Sequence, residues 1–381
     1  MILDTQTPAS CSVSDVVAEG MKKEMPTSSH APRKGSLRLS VIVPIYNVER
    51  FLSRCLNSLL RQGLQEGDYE IICVNDGSTD GSAAILADYQ QQHPHLFTVL
   101  TQENQGLGAA RNTGTAVAKG EYVGYVDSDD YLIDGGFGYI CQHFLDKKPD
   151  VVTFGYRCVY TDGQQQEDSS ATPEGKVIFE GNGAELYNRD PLPFVWSKLY
   201  RREFLETHGI RSEVVVCQDE LFNFEVFRHQ PYTIQTSCNI CRYEQLNGHS
   251  IQKTLNEKKL REHLEQLLYN NIPRMEDYLE SGQTVLEAAA WRNINNFLHI
   301  FYKKVVCLRL SRKEWRRYKR RLRDLPTYYY PFRINRMAKL VTAVKQLSMK
   351  SYGAYLLTYF FDRHIFKQYI YPWMVVKRQQ A

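Results

Sequence analysis

The 381-residue chain contains no run of about 18 uninterrupted apolar residues, so no membrane-spanning helix is expected. Residues 1–36 have neither the basic start nor the apolar centre of a signal peptide. Ser, Thr, Pro and charged residues dominate them, as in a disordered tail or an upstream-extended start. Charge of one sign is not in large excess: the formal net charge is +4, too small at this length to indicate a partner. The nine cysteines are odd in number and irregularly spaced, which suits a reducing cytosol better than a disulfide framework. Cys238 and Cys241 form a CxxC, but no second pair of ligands accompanies it at zinc-site spacing, so structural thiols are expected. The glycines near Arg111 also lack the spacing of a dinucleotide fingerprint.

What is present is enough apolar residue, 43%, to build a core, arranged in two alternating periods. Residues 39–45 form a short apolar run rich in β-branched side chains, as in a buried strand. Helical spacing follows over 48–62, with Phe51, Leu52, Cys55, Leu56, Leu59 and Leu60 recurring on one face. Further strands are expected at 69–74, 97–100, 122–126 and 151–154, with helices at 82–91 and 107–119. This alternation indicates an α/β fold with a mostly parallel central sheet and helices on both faces. The alternation is lost over 155–250, which mixes short strands with helices such as 219–227. From about Ile251 the pattern is helical and increasingly basic. The expected division is a tail at 1–36, an α/β domain at 37–250 and a helical, basic and aromatic region at 251–381.

In parallel sheets ligands bind beyond the carboxyl ends of the strands. Two acidic motifs stand there, Asn75-Asp76-Gly77-Ser78-Thr79-Asp80 and Asp127-Ser128-Asp129-Asp130. The topology gathers them on one rim although they are far apart in sequence. Asp127 and Asp129, spaced i, i+2, suit a division of labour between a ribose and a hard divalent cation, which prefers carboxylate and phosphate oxygens. A solvated turn has the same composition; the position behind a strand favours the ligand. Asp76 suits a base ring N–H, while Asp80 or Ser78 suits a cap on the next helix. In Asn104-Gln-Gly-Leu-Gly-Ala-Ala-Arg-Asn-Thr-Gly114 the small residues let a helix begin close to a ligand, and Arg111 suits phosphate or a base.

With Val41-Ile-Val-Pro-Ile-Tyr-Asn47, these segments and Tyr125-Val-Asp-Ser-Asp-Asp-Tyr131 occur in the order and spacing of family 2 glycosyltransferases, which the chain resembles over residues 38–245. The resemblance implies the GT-A fold and an inverting enzyme of the bacterial cell-surface polysaccharide type. It places Pro44 and Tyr46 in the nucleoside pocket, Asp76 at the base, Arg111 near the nucleotide, Asp127 at the ribose and Asp129 on a divalent metal, Mn2+ or Mg2+. Asp130 becomes a further polar neighbour. The catalytic base falls on Asp219, although Gln218 replaces the usual Glu and Glu220 remains a rival. Trp196, in Val195-Trp-Ser-Lys-Leu-Tyr200, is expected to wall the acceptor site or to be a core aromatic. Glu244 stands where an Arg is usual, leaving Arg242 or His249 for any phosphate contact.

The implied reaction moves a sugar from a nucleotide diphosphate donor, in the first instance a UDP-sugar, to a hydroxyl of a glycan or lipid-linked glycan. A non-catalytic nucleotide-sugar binding protein is the alternative from another class, and retention of Asp219 argues against it. A processive synthase would carry a Gln-X-X-Arg-Trp motif and spanning helices, which this sequence lacks. Residues 303–323 hold eleven Lys or Arg and one acid, Glu314, yet no nucleic-acid module is recognisable, so no nucleic acid is expected as a partner. Residues 352–376 add an aromatic and aliphatic face including Tyr352, Tyr359, Phe360, Phe366 and Trp373. A cytoplasmic enzyme held peripherally on the anionic inner face of the plasma membrane is expected. The competing expectation is that this face packs on the catalytic core or on a second subunit of an oligomer.

Overall fold

A computed structural model describes residues 37–160, 173–190, 192–245, 256–305 and 308–323. The tail at 1–36, His249 and the aromatic segment at 352–376 lie outside the described residues. The chain opens with β1 (Leu39–Ile45), α1 (Glu49–Leu60), β2 (Tyr69–Asn75), α2 (Ser82–Gln92), β3 (Phe97–Thr101), α3 (Leu107–Val117) and β4 (Tyr122–Tyr125). There follow β5 (Tyr131–Leu132), α4 (Gly136–Phe144), β6 (Val151–Val159), β7 (Val177–Asn182), α5 (Gly183–Arg189), β8 (Lys198–Arg201), α6 (Arg202–Thr207), α7 (Gln218–Arg228) and β9 (Tyr232–Glu244). Four helices complete the described chain: α8 (Glu257–Gln266), α9 (Ile272–Glu280), α10 (Glu287–Val305) and α11 (Arg312–Arg323).

The sheet runs β3-β2-β1-β4-β8-β6-β9-β5, with β7 also on β9. Its first four strands are parallel. All seven residues of β1 are buried, because β1 lies between β2 and β4 and is covered on both faces, which is why it reads as a continuous apolar run. Register sets the rim: Ile45 pairs with Asn75, and Ile42 with Tyr125. The Asp76 N–H then donates to the Ile45 carbonyl at 2.8 Å and the Val126 N–H to that of Ile42 at 3.0 Å. Asp76 and Asp127 therefore leave the sheet on the same edge.

Past β4 the sheet becomes mixed. β8 runs antiparallel to both β4 and β6, β6 is parallel to β9, and β5 is antiparallel to β9. One face is filled by α1 and α4, with Phe51, Leu56, Phe137 and Ile140 buried. The other is filled by α3, α7 and the C-terminal helices, where Phe222, Phe227, Leu264, Phe297 and Phe301 share one cluster. Trp315 and Tyr318 of α11 join it, Tyr318 edge-on to Phe301 at 5.7 Å. Burying such side chains contributes roughly 1.5–3 kcal/mol each, so α8–α11 are held to the sheet by core packing. Gly114 lets α3 lie flat on the sheet: an added Cβ would come within 2.5 Å of Ile42 Cγ2. Among the described residues no helix is long and apolar enough to cross a membrane. The seven described cysteines are free, and Cys238 and Cys241 are buried.

Candidate active site

The loops leaving β1, β2 and β4 each carry one layer of the site. Tyr46, directly after β1, is 45% exposed on the rim, whereas Pro44 is buried inside the strand opposite Val74. Asp76 is buried and turned into the chain. Its Oδ1 accepts from Gln102 Nε2 at 2.7 Å and the Gln105 N–H at 2.9 Å, and its Oδ2 from the Gly106 N–H at 2.8 Å. It thus fixes the segment that leads into α3, and with about four lone-pair sites per carboxylate it keeps room for one further donor. Asp80 serves two helix starts, accepting the Glu49 N–H at 3.0 Å and the Ser82 N–H at 3.0 Å, while Ser78 accepts from Asn47.

Arg111, on α3, is 1% exposed. One Nη donates to Asp219 Oδ1 at 2.6 Å and the other to Asp127 Oδ1 at 3.0 Å. A buried guanidinium is tolerated only when paired, and these two carboxylates pair it from different parts of the sequence. Arg111 lies beneath them, over the Tyr125 ring at 5.8 Å. Asp127 is about a quarter exposed. Burial nevertheless raises its pKa to about 6; Arg111 opposes that rise, and the neighbouring charges of Asp219 and Asp129 add to it.

The loop from Asp127 to Tyr131 is anchored from α1. Arg54 donates to the Asp129 carbonyl at 3.0 Å, binds Glu244 Oε2 through both Nη atoms at 3.2 Å, and stacks over Tyr131 at 4.5 Å. The Glu244 side chain is wholly buried, and its N–H donates to Asp130 Oδ1 at 2.8 Å. Asp130 Oδ2 is buried without a hydrogen-bond partner, and burial, with Asp129 and Asp127 nearby, raises the Asp130 carboxyl far above the usual range. Glu244 therefore clamps the acidic loop through Arg54. Arg242, 5% exposed, donates to the carbonyl of Asn239.

Among the described residues no three His, Cys, Asp or Glu side chains converge as a ready-made metal site. The residues do fit a cation that takes one or two carboxylates and completes its shell with phosphate oxygens and water. Asp129 and Asp127 are the carboxylates such a cation would take, and the unpartnered Oδ2 of Asp130 stands in the same loop.

Asp219 sits in the first turn of α7, whose cap position is Cys217 in a left-handed conformation, so Asp219 is not the cap. Besides Arg111 it receives the Val195 N–H at 3.2 Å, and its side chain is 20% exposed. Glu220 points the other way, towards α10, where Asn296 Nδ2 donates to it at 3.1 Å. Burial, aided by the Asp219 charge, raises it to about 7. Trp196 is 3% exposed and underlies three less buried rings, Phe194, Tyr156 and Tyr243. Lys198 was not singled out by sequence reasoning. It is fully buried, donates to the Leu192 carbonyl at 3.1 Å and to that of Phe194, and is lowered by burial to about 7 despite the Asp219 charge. Only its apolar surroundings, Val195-Trp-Ser-Lys-Leu-Tyr200, signal it in the sequence.

Residues 40–209 match the sequence model described as glycosyl transferase family 2. The uncharacterized glycosyltransferase EpsJ of Bacillus subtilis (strain 168) is 35% identical over 198 residues, 50% of this chain and 56% of that protein. The poly(ribitol-phosphate) beta-glucosyltransferase of Bacillus spizizenii (strain ATCC 23059 / NRRL B-14472 / W23) is 44% identical over 97 residues, 25% of this chain and 15% of that one. The match to EpsJ spans only about half of that relative's length. Among solved structures, that of S. aureus TarS 1-349 in complex with UDP-GlcNAc superposes with a TM-score of 0.58 at 20% identity, covering 85% of this chain and 89% of that one. The ordered motifs on the rim lie within the segment that matches glycosyl transferase family 2, and the mixed sheet is of the GT-A kind.

Proposed function

We propose that the protein transfers a sugar from a UDP-sugar to a hydroxyl of a growing cell-surface glycan, inverting the anomeric carbon in one displacement. The observation that carries this reading is the guanidinium of Arg111, which holds Asp127 on the donor rim and Asp219 at the start of α7 by its two Nη atoms. Asp219 keeps lone pairs free beyond its bonds to Arg111 and Val195 and accepts the acceptor O–H proton as general base. The acceptor oxygen bonds to the anomeric carbon as the bond to the diphosphate oxygen breaks, and the nucleoside diphosphate leaves with the electron pair. Asp76 and Tyr46 border the nucleoside side of the rim, and Asp127 the ribose. Asp129, with Asp127, would hold a divalent cation, Mn2+ or Mg2+, which when bound supplies positive charge against the diphosphate. The fold shared with the UDP-GlcNAc complex of TarS supports the choice of a UDP-sugar.

Replacing Asp219 by Asn tests the reading. The amide oxygen still accepts from Arg111, at the cost of the weaker Val195 N–H bond to the second oxygen, and it cannot take a proton. Turnover should fall by roughly 10²–10⁴-fold, with the Kd for UDP-GlcNAc or the donor actually used almost unchanged. If Glu220→Gln is crippled and Asp219→Asn is not, the base is Glu220.

We further propose that the reaction runs on the cytoplasmic face of the plasma membrane, with α11 turned to anionic lipid. The support is its charge: seven of its Lys and Arg side chains are exposed, while Trp315 and Tyr318 face the core.

A further inference from the structure

Four aromatic rings from three parts of the chain meet beside Asp219. Phe194 and Trp196 stack at 4.6 Å and 16°. Tyr156 of β6 stands edge-on to both, at 5.3 and 5.2 Å, and Tyr243 of β9 closes the group at 5.3 Å from Trp196. Burial is graded: Trp196 forms the base, Phe194 and Tyr243 are half-buried, and Tyr156 is 38% exposed.

Two backbone bonds fix where this cluster lies. Phe194 and Trp196 flank Val195, whose N–H donates to Asp219 Oδ2. Tyr243 precedes Glu244, whose N–H donates to Asp130 Oδ1. The rings therefore span from the proposed base to the acidic loop of the donor side, where an acceptor has to lie. Burial and the carboxylates of Asp130, Asp127 and Asp129 push the Tyr243 phenol up to about 12, in keeping with that proximity.

Among the described residues, three cations whose contacts border the cluster are committed elsewhere. Lys198 is spent on the carbonyls of Leu192 and Phe194, Arg111 on Asp127 and Asp219, and Arg54 on Glu244 and the Asp129 carbonyl. An anionic acceptor would meet ring faces, which carry the negative end of the quadrupole, and a row of carboxylates. A pyranose presents the opposite surface, a neutral face of weakly positive C–H bonds.

We propose that the Phe194 and Tyr243 rings, floored by Trp196 and walled by Tyr156, are the acceptor subsite and take the C–H face of a neutral pyranose ring. The acceptor is then a pyranose-ended glycan and not a polyol-phosphate chain. This rests on the glycosyltransferase reading above and sharpens its acceptor.

The test uses the full chain and a panel of methyl pyranosides of glucose, galactose, mannose, N-acetylglucosamine and N-acetylgalactosamine, with ribitol 1-phosphate as contrast. Binding is read without chemistry in Asp219→Asn protein, by saturation-transfer NMR and Trp fluorescence. At least one pyranoside should bind and ribitol 1-phosphate should not. Tyr156→Ala and Phe194→Leu should each raise the acceptor KM about tenfold, equivalent to about 1.4 kcal/mol, with donor Kd unmoved; Tyr156→Phe should restore it. The proposal is overturned if no pyranoside binds, if ribitol 1-phosphate displaces the one that does, or if both variants shift the acceptor KM less than twofold. A protein that binds pyranoside on these rings but never releases UDP from a UDP-sugar would instead refute the transferase reading and leave the subsite standing.

Discussion

Asp219 and Glu220 are adjacent in sequence and opposed in space. Asp219 faces Arg111 and the Val195 N–H, while Glu220 is held by Asn296 of α10. Spacing alone kept both as candidates because the first turn of a helix aims neighbouring side chains about 100° apart, and only the packing of α10 tells which one meets the core. Burial raises Glu220 from 4.5 to about 7. A carboxyl raised in the folded state binds its proton more tightly there, so its stabilising contribution is complete below the unfolded pKa and is lost as pH rises through about 7. The size is on the order of 3 kcal/mol. Glu220→Gln should remove this slope: denaturant midpoints of the wild type should fall from pH 4.5 to pH 7.5 more than those of the variant. Parallel midpoints across that window would show that Glu220 is ionised at no cost.

At the scale of elements, the first half of the sheet was legible and the second half was not. β1 to β4 are short apolar runs separated by helices of regular spacing, so the period alone locates them within a residue or two. β8 is only four residues, Lys198–Arg201, and its insertion between β4 and β6 depends on pairings across 45 to 79 residues. The acidic triplet could be read because it follows a strand end. Its support could not, since Arg54 and Glu244 are 190 residues apart and Glu244 departs from the family's pattern. The clamp explains that departure: an acid at 244 neutralises the arginine that α1 sends to the loop. Glu244→Gln should remove the buried carboxylate that Arg54 binds through both Nη atoms and cost about 3–5 kcal/mol, read as a lowered melting temperature. Arg54→Met with Glu244→Leu should recover most of that stability, since an apolar pair of similar volume is often neutral. Turnover should stay low in the double variant because the Asp129 carbonyl has lost its anchor. Recovery of activity together with stability would mean that the clamp matters only for folding.

The whole molecule combines a near-neutral total charge with one strongly basic helix. Three arginines near it are paired internally, Arg317 with Glu265, Arg321 with Glu276 and Arg261 with Glu314, which orients α11 and leaves Lys313, Arg316 and Arg320 exposed on it. Each basic side chain at an anionic bilayer contributes about 1 kcal/mol, an attraction that salt screens within a Debye length. Trp315 and Tyr318 are in the core, so truncating the chain before α11 would damage the fold and test nothing about lipid. Charge removal is the cleaner experiment. Full-length protein should float with vesicles rich in phosphatidylglycerol at low salt, stay unbound to neutral phosphatidylcholine vesicles, and dissociate as salt rises. Lys313→Gln, Arg316→Gln and Arg320→Gln together remove about 3 kcal/mol, which weakens binding roughly a hundredfold, while the melting temperature should hold because these side chains are exposed. Equal flotation of the triple variant would assign any lipid contact to other residues. Failure of the wild type to bind at low salt would remove the membrane from the proposed function and leave α11 as a solvated face.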